Sequence, residues 1–420
     1  MVVVVGRSMT GSVAETVSRR MGAERASHAI GGFVRPGFEA VREAFLENFE
    51  RRGELGAACC VYHRGEQVVD LWGGVRKRAT GEPWERDTMA LVHSTTKGPA
   101  GLAMALAHSR GLFDYDERVC SYWPEFAQQG KERITVRQLL SHQAGLFVLD
   151  ERPTRSLVAD PDRLASVLAR QRPAWPPGTR QAYHAITLGF YESELLRRVD
   201  PAHRTLGRFF REEIARPLGL EFYIGLPEEI PDARLAPLHR PNMAKLFFTM
   251  PLRLTLAAMN PRSRFRRALL GSELPEQSER VYDRNLEVPA GGGIGTARGL
   301  AGAYGAFAAG GRELGLREET LRQLMAPAIP PTRGFRDACV KVELQLSLGF
   351  AKPSEKNPFG HPSSFGHPGT GGSLGFADPH AQLGFGYIPN QMGTYLDDPR
   401  AAALRRATYR AIGVTDPYHS

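Results

Sequence analysis

Two residues with complementary chemistry, Ser94 and Lys97, stand three positions apart at the start of a predicted helix. Because three residues make nearly one helical turn, the two side chains share a face. A serine hydroxyl is a weak nucleophile until a neighbouring group takes its proton, and a lysine can assist in this. The pair therefore predicts covalent acyl chemistry. The structural alternative is an ordinary serine N-cap beside a solvated lysine.

The elements around this pair are read from apolar spacing and from helix and turn signals. Residues 98–107 are rich in Ala and Leu and precede Gly111, so they predict a buried helix whose N–H groups favour negative charge near Ser94. Further helices are predicted over Pro36–Arg52, Val136–Leu140, Arg163–Arg170, Leu188–Arg198 and Leu206–Ala215, and from Asp398 to Gly413; strands are predicted over Ala57–Tyr62, Gln67–Trp72, Val340–Phe350, Gly372–Ala377 and Leu383–Ile388.

This order predicts an α+β fold in which both ends of the chain build one antiparallel sheet. N- and C-terminal helices flank the sheet, an all-helical lobe lies beside it, and the active site is expected between the two. We expect a single domain over 31–415, with a sheet lobe at 31–92 and 299–415 and a helical lobe at 93–298. Residues 1–30 are an N-terminal extension for which disorder is one expectation. Residues 237–275 predict either a cap over the cleft or a surface helix pair.

Composition narrows the classes of function. The chain has 420 residues, 42% of them hydrophobic and 24% charged, which is typical of a globular protein. Its net charge of +9 comes mostly from arginines interleaved with acidic residues, which disfavours nucleic acid as a partner. Four cysteines without metal spacing, and a start without a secretory pattern, predict a cytoplasmic protein with free thiols. No stretch predicts stable membrane insertion.

Four motifs resemble those of the serine β-lactamase and penicillin-binding-protein superfamily. They are Val92–Gly98 around Ser94, Ile134–Leu146, Tyr183-His184-Ala185 and His367-Pro368-Gly369. Residues 292–297 and 366–373 are typical of its class C β-lactamase-like branch, the family VIII carboxylesterases. The resemblance spans about residues 33–413 and implies that fold.

The resemblance also implies roles for single residues. Ser94 would be the acylated nucleophile, Lys97 would hold Ser94 and Tyr183 at low pKa, and Tyr183 would be the general base. His367 stands where a cation usually assists. The backbone N–H groups of Ser94 and Thr370, just past Gly369, would form the oxyanion hole.

Two departures from the family pattern point to neutral esters. Ala185 replaces a residue whose carboxamide grips the amide side chain of lactams and peptides. The His-Pro-Gly motif lacks the lysine that attracts a substrate carboxylate. We therefore predict a serine carboxylesterase that cleaves small or short-chain esters, with no cofactor and no metal. An acyltransferase with the same site, a weak β-lactamase or D-alanyl peptidase, and a non-catalytic binding protein remain alternatives, and homo-oligomer formation is left open.

Three further residues need an interpretation: one serine is an alternative nucleophile, and two histidines have ordinary structural explanations. Ser373 lies in Gly371-Gly372-Ser373-Leu374-Gly375, which matches the Gly-x-Ser-x-Gly nucleophile elbow of α/β-hydrolases. That elbow needs a strand, a turn and then a helix, whereas a hairpin strand is predicted here, so we expect its glycines to serve close packing. For His142 we expect a loop hydrogen bond. For His184 two roles remain open: it lines the pocket, or it supports the residues that do.

Overall fold

The computed structural model describes residues 30–240, 252–260, 262–269, 284–394 and 397–414. Its strands are β1 (Ile30–Val34), β2 (Gly56–His63), β3 (Glu66–Lys77), β4 (Glu82–Pro83), β5 (Ala90–Leu91), β6 (Phe222–Ile224), β7 (Gly293–Gly295), β8 (Leu346–Ser347), β9 (Phe350–Ala351), β10 (Phe365–Pro368), β11 (Leu374–Asp378) and β12 (Leu383–Pro389). Its α-helices are α1 (Glu39–Arg51), α2 (Lys97–Ser109), α3 (Val119–Tyr122), α4 (Val136–Leu140), α5 (Arg155–Val158), α6 (Pro161–Arg170), α7 (Thr187–Val199), α8 (Leu206–Phe210), α9 (Leu252–Met259), α10 (Arg264–Leu269), α11 (Ala297–Ala308), α12 (Glu318–Met325) and α13 (Pro399–Ala411).

The main sheet is antiparallel and joins both ends of the chain, as the sequence predicted. Its order is β1-β3-β2-β12-β11-β10-β9-β8, with β4 paired to β3. The central pair runs from Leu383 opposite His63 to Pro389 opposite Ala57. On one face α1 and α13 pack together over the sheet, and α11 covers the other face. Helix α11 comes so close that a Cβ on Gly384 of β12 would lie 2.3 Å from the Gly305 nitrogen.

Most predicted elements are confirmed with small shifts of their ends. Helix α13 begins as expected, because the Asp398 side chain accepts the Arg400 N–H and Pro399 takes the first helical position. The helix predicted over 206–215 continues past α8 as a π-helical turn at Arg211–Ala215. A second sheet of three strands, β5-β7-β6, lies apart from the main sheet and was not predicted from the sequence.

The continuous strand predicted over 340–350 is wrong. Only β8 and β9 are extended there, and they pair with each other as a tight hairpin. Its turn is made by Leu348 and Gly349, with φ angles of 52° and 89°. Earlier in the segment, the Asp337 carboxylate accepts the Val340 N–H and closes a loop. The regular apolar alternation does not follow burial in this segment, because Val342 is exposed whereas residues 346–350, including Ser347, are all buried.

The predicted cap is described only in part. Within 237–275, residues 241–251, 261 and 270–275 lie outside the described residues, as do residues 1–29 of the predicted N-terminal extension. The described parts of this segment contact two different regions of the protein. The His239 N–H donates to the Asn390 carbonyl at 2.7 Å, and Ala268 of α10 packs with Phe147 and Ala182. Within the described ranges, no helix is long and apolar enough to cross a membrane.

Candidate active site

Ser94 lies in a single 3₁₀ turn, His93–Thr96, at the junction between β5 and α2. His93 has a left-handed φ of 46°, which redirects the chain immediately before Ser94. Both threonines anchor the turn: Thr96 Oγ1 accepts the Gly293 N–H of β7 at 2.8 Å, and Thr95 Oγ1 donates to the Ser373 carbonyl at 3.2 Å. Ser94 therefore sits in a turn fixed from both sheets, with its side chain partly exposed.

The Lys97 amine lies beneath Ser94 and is fully buried. Its Nζ donates to the Ala185 carbonyl at 2.7 Å and to the Ala290 carbonyl at 2.8 Å, and lies 3.5 Å from Ser94 Oγ. Burial lowers the pKa of Lys97 to about 7, and the nearby Glu192 carboxyl opposes that shift only when it is ionised. A neutral amine that gives its two hydrogens to the carbonyls keeps its lone pair for the Ser94 hydroxyl.

The Tyr183 phenol lies beside both residues. Its backbone N–H donates to Asp337 Oδ2 at 2.7 Å, and the Lys97 Nζ is 4.9 Å from its ring centroid. Burial raises the pKa of Tyr183 above its usual range, and a hydrogen bond between its phenol and the Ser94 hydroxyl offsets part of that rise. The phenol therefore keeps its proton at neutral pH, whereas Lys97 is partly deprotonated.

Histidine rings enclose Tyr183. His142 and His367 stack on it with centroids 5.4 and 5.8 Å away, and His184 packs against His142 at 5.1 Å. Burial lowers the pKa of His367 and of His184 to about 3. Since the Pro368 carbonyl can only accept, the His367 proton sits on Nδ1, 2.6 Å from that oxygen, and the Nε2 lone pair has no hydrogen-bond partner among the described residues. His367 is therefore a neutral acceptor rather than a cation.

The segment after β10 lies against the Ser94 turn. A Cβ on Gly369 would be 2.3 Å from the Val92 carbonyl oxygen, so a side chain there would push the two apart. The backbone N–H groups of Ser94 and Thr370 donate to no group in the described parts of the chain. Both are thus available to a bound anion.

Ser373 connects these two segments. It is buried, its Oγ donates to the Val92 carbonyl at 2.9 Å, and it lies 3.0 Å from Thr95 Oγ1. The next residue, Leu374, begins strand β11 rather than a helix. Ser373 therefore acts as a clamp, meaning that its hydroxyl holds the segment between β10 and β11 against the Ser94 turn. This favours the interpretation that the glycine-rich motif serves close packing rather than nucleophilic catalysis.

Sequence reasoning missed three groups around Lys97 and Tyr183. The Ala290 carbonyl holds Lys97 and the Asp337 carboxylate holds Tyr183. Neither has a local motif, because one is a backbone atom and the other is 154 residues away along the chain. Glu192 of α7 is fully buried, and neither of its carboxyl oxygens has a hydrogen-bond partner in the described ranges of the chain. His142 accepts the His184 N–H at 2.8 Å, which is the structural bond that the sequence suggested.

The β-lactamase family model matches residues 38–410. The esterase/β-lactamase LipL of Mycobacterium tuberculosis is 32% identical over 375 residues, covering 87% of this chain and 84% of LipL. A family VIII carboxylesterase structure is 37% identical with a TM-score of 0.80, covering 91% of this chain and 100% of that one. EstA from Arthrobacter nitroguajacolicus Rue61a is 34% identical with a TM-score of 0.78, covering 91% and 99%. With this fold, these relatives and this serine-lysine-tyrosine cluster, the chain belongs to the β-lactamase family.

Proposed function

We propose that this chain is a serine carboxylesterase that cleaves small, neutral esters through an acyl-enzyme on Ser94. The observation that carries the proposal is the Lys97 amine, held by two carbonyls with its remaining position directed at Ser94 Oγ. A lysine buried in this way, with its pKa lowered to about 7, is suited to accept a proton at neutral pH. LipL and the family VIII carboxylesterase, both more than 30% identical to this chain, support ester hydrolysis.

The proposed reaction has two halves. In the first, Ser94 Oγ attacks the ester carbonyl carbon while its proton passes to neutral Lys97. The N–H groups of Ser94 and Thr370 stabilise the oxyanion, which collapses as the alcohol leaves with a proton. In the second half, water attacks the acyl-enzyme by the same route and releases the acid. Tyr183 and Lys97 both take part in proton transfer. The protonated phenol is suited to donate a proton to the leaving oxygen, and the neutral Lys97 amine is suited to accept the proton of Ser94.

The preference for neutral esters rests on two positions. Ala185 contributes only a methyl group as its side chain, so a lactam or peptide amide loses a carboxamide partner. His367 is neutral with Nε2 as an acceptor, so it offers no charge to a substrate carboxylate. Acyl transfer to an alcohol uses the same site and remains the second candidate, and weak lactam hydrolysis is the third. A non-catalytic binding protein would not require the serine-lysine-tyrosine set.

Fluorophosphonate labelling tests the proposal. Peptide mapping by mass spectrometry should place the adduct on Ser94, and p-nitrophenyl butyrate should be turned over. Ser94→Ala should abolish both, whereas Ser373→Ala should retain both. An adduct on Ser373, or no adduct together with no turnover, would refute the assignment. Adding alcohol acceptors to the same assay and separating ester from acid products decides between hydrolysis and acyl transfer.

The cellular setting is part of the proposal. All four cysteines are free, and adjacent Cys59 and Cys60 are buried in separate cores on opposite faces of β2. This supports a reducing compartment, and we place the protein in the cytoplasm. A small ester is its proposed partner, without nucleic acid or stable membrane insertion. Native mass spectrometry would decide whether it forms homo-oligomers.

A further inference from the structure

The guanidinium of Arg400, at the start of α13, is almost completely buried and uses all five of its N–H donors. Nε and Nη2 bind the Asp398 carboxylate at 2.9 and 2.8 Å, and Nη1 binds Glu54 Oε1 and the Gln391 carbonyl, both at 2.9 Å. The last donor, on Nη2, reaches the Gly371 carbonyl at 3.2 Å. Arg400 is 3% exposed, and the Glu54 and Asp398 side chains are 0% and 2% exposed. Because a guanidinium is planar and its five N–H groups point in fixed directions, the groups that it binds are held in fixed positions relative to one another.

The bond to Gly371 connects this buried network to the proposed oxyanion hole. Gly371 directly follows Thr370, and Gly371 and Gly372 have φ angles of 97° and 107°. Two successive glycines in this region have little side-chain restraint of their own. Two backbone hydrogen bonds close the loop, from the Gly369 N–H to the Ser373 carbonyl at 2.7 Å and from the Gly372 N–H to the Gly369 carbonyl at 3.1 Å, and contacts from outside set its orientation. Besides Arg400, the Gly393 N–H holds the Gly371 carbonyl at 3.0 Å.

Asp398 contacts the same loop directly. A Cβ on Gly372 would lie 2.5 Å from Asp398 Oδ2, so the carboxylate occupies the space next to the bare backbone. The opposite side of the loop is held by Ser373, which binds the Ser94 turn through the Val92 carbonyl. The segment that carries the Thr370 N–H is therefore held between the nucleophile turn and the Arg400 network.

We propose that Arg400 is a positioning residue that aims the Thr370 N–H at the oxyanion. This inference rests on the proposed function. Hydrogen bonds weaken steeply as the donor angle departs from linearity, so a small rotation of this loop would cost transition-state stabilisation and leave ground-state binding largely intact. Arg400→Lys keeps the charge but replaces the planar fork by a single ammonium, which cannot hold Asp398, Glu54 and Gly371 together.

The test compares Arg400→Lys with a matched variant on the same helix. Arg405→Lys removes another buried guanidinium, which binds the Pro358 carbonyl and lies 3.5 Å from Asp397. Turnover of p-nitrophenyl butyrate is normalised to the fraction of Ser94 labelled by fluorophosphonate, so unfolded protein does not count. We expect Arg400→Lys to lower kcat by about 10²–10³ with KM changed by less than about threefold. Affinity for an alkylboronic acid, which mimics the oxyanion, should fall in parallel, and Arg405→Lys should leave both quantities near wild type.

Each outcome decides the point. If Arg400→Lys keeps its kcat per labelled site, or if Arg405→Lys loses as much, the network is only structural and the proposal is overturned. If Arg400→Lys does not fold, Asp398→Asn takes its place. This substitution keeps the shape of the side chain but removes its charge, which weakens its hydrogen bonds with the Arg400 guanidinium. An unchanged kcat per labelled site in Asp398→Asn would then overturn the proposal. A wild-type protein with neither label nor turnover would instead refute the proposed function itself.

Discussion

Acylation of Ser94 should follow the protonation of Lys97, because only the neutral amine has a lone pair to accept the serine proton. With the pKa of Lys97 lowered to about 7, half of the amine is neutral at pH 7. The neutral fraction is about one in eleven at pH 6 and about one in a hundred at pH 5. The second-order rate constant of fluorophosphonate labelling should therefore fall about tenfold per unit below pH 6 and level off above about pH 8. Labelling reports acylation alone, so slow deacylation cannot distort the profile.

Two variants make this prediction specific. Lys97→Arg keeps a permanent charge and should slow labelling by about 10²–10⁴ at every pH. Lys352 is the matched control, because it is 2% exposed, its pKa is also lowered to about 7 by burial, and it binds the Leu324 and Ser363 carbonyls. Lys352→Met should leave the midpoint unchanged. A rate that is flat from pH 5 to 8, or one that still rises at pH 10 as a Tyr183 phenolate would require, would refute the role of Lys97.

Three other substitutions probe the surroundings of Ser94. Tyr183→Phe should lower kcat by about 10²–10⁴ at an unchanged melting temperature, and near wild-type turnover would remove Tyr183 from the mechanism. Ser373→Ala should cost about 1 kcal/mol of unfolding free energy, measured by denaturant titration, yet keep most of the turnover; a loss equal to that of Ser94→Ala would contradict the clamp. Glu192→Leu should raise the melting temperature, with a gain that widens from pH 5 to pH 8. Burial raises the pKa of this carboxyl to about 8, so in this window it ionises in the unfolded chain and not in the folded one. A gain that does not change with pH would show that Glu192 is ionised in the folded chain.

The parts of the fold that could be predicted are those encoded by local patterns. The Asp398-Pro399 cap of α13 and the strands β2 and β12 each have a complete signal within a few residues. The segment 340–350 shows where such signals fail. Its alternation of apolar residues is typical of a strand, but the pattern does not follow burial, since Val342 is exposed and residues 346–350 are all buried. The backbone reversal at Leu348 has no signature in a leucine.

The part of the site that could be predicted consists of side chains that lie a few residues apart along the chain. Ser94 and Lys97 share a turn, so three-residue spacing was enough to bring them together. The Ala290 carbonyl, the Asp337 carboxylate and the Arg400 fork come from distant positions and act through backbone atoms or buried pairs. Residue type does not reveal such roles, since any residue has a carbonyl and most arginines lie on the surface.

We expect the two departures from the family pattern to change substrate recognition while leaving the groups proposed for acylation in place. Ala185 lacks the carboxamide, yet its carbonyl still holds Lys97 at 2.7 Å, because that contact needs only the backbone. In the same way, His367 offers no cation, while Gly369, the residue before Thr370, still packs closely against the Val92 carbonyl beside the Ser94 turn. The groups that would form the acyl-enzyme are thus separate from those that would recognise lactams or peptides. We therefore expect a site altered in this way to be acylated at Ser94 and to select its esters by shape and neutrality rather than by an amide or a carboxylate.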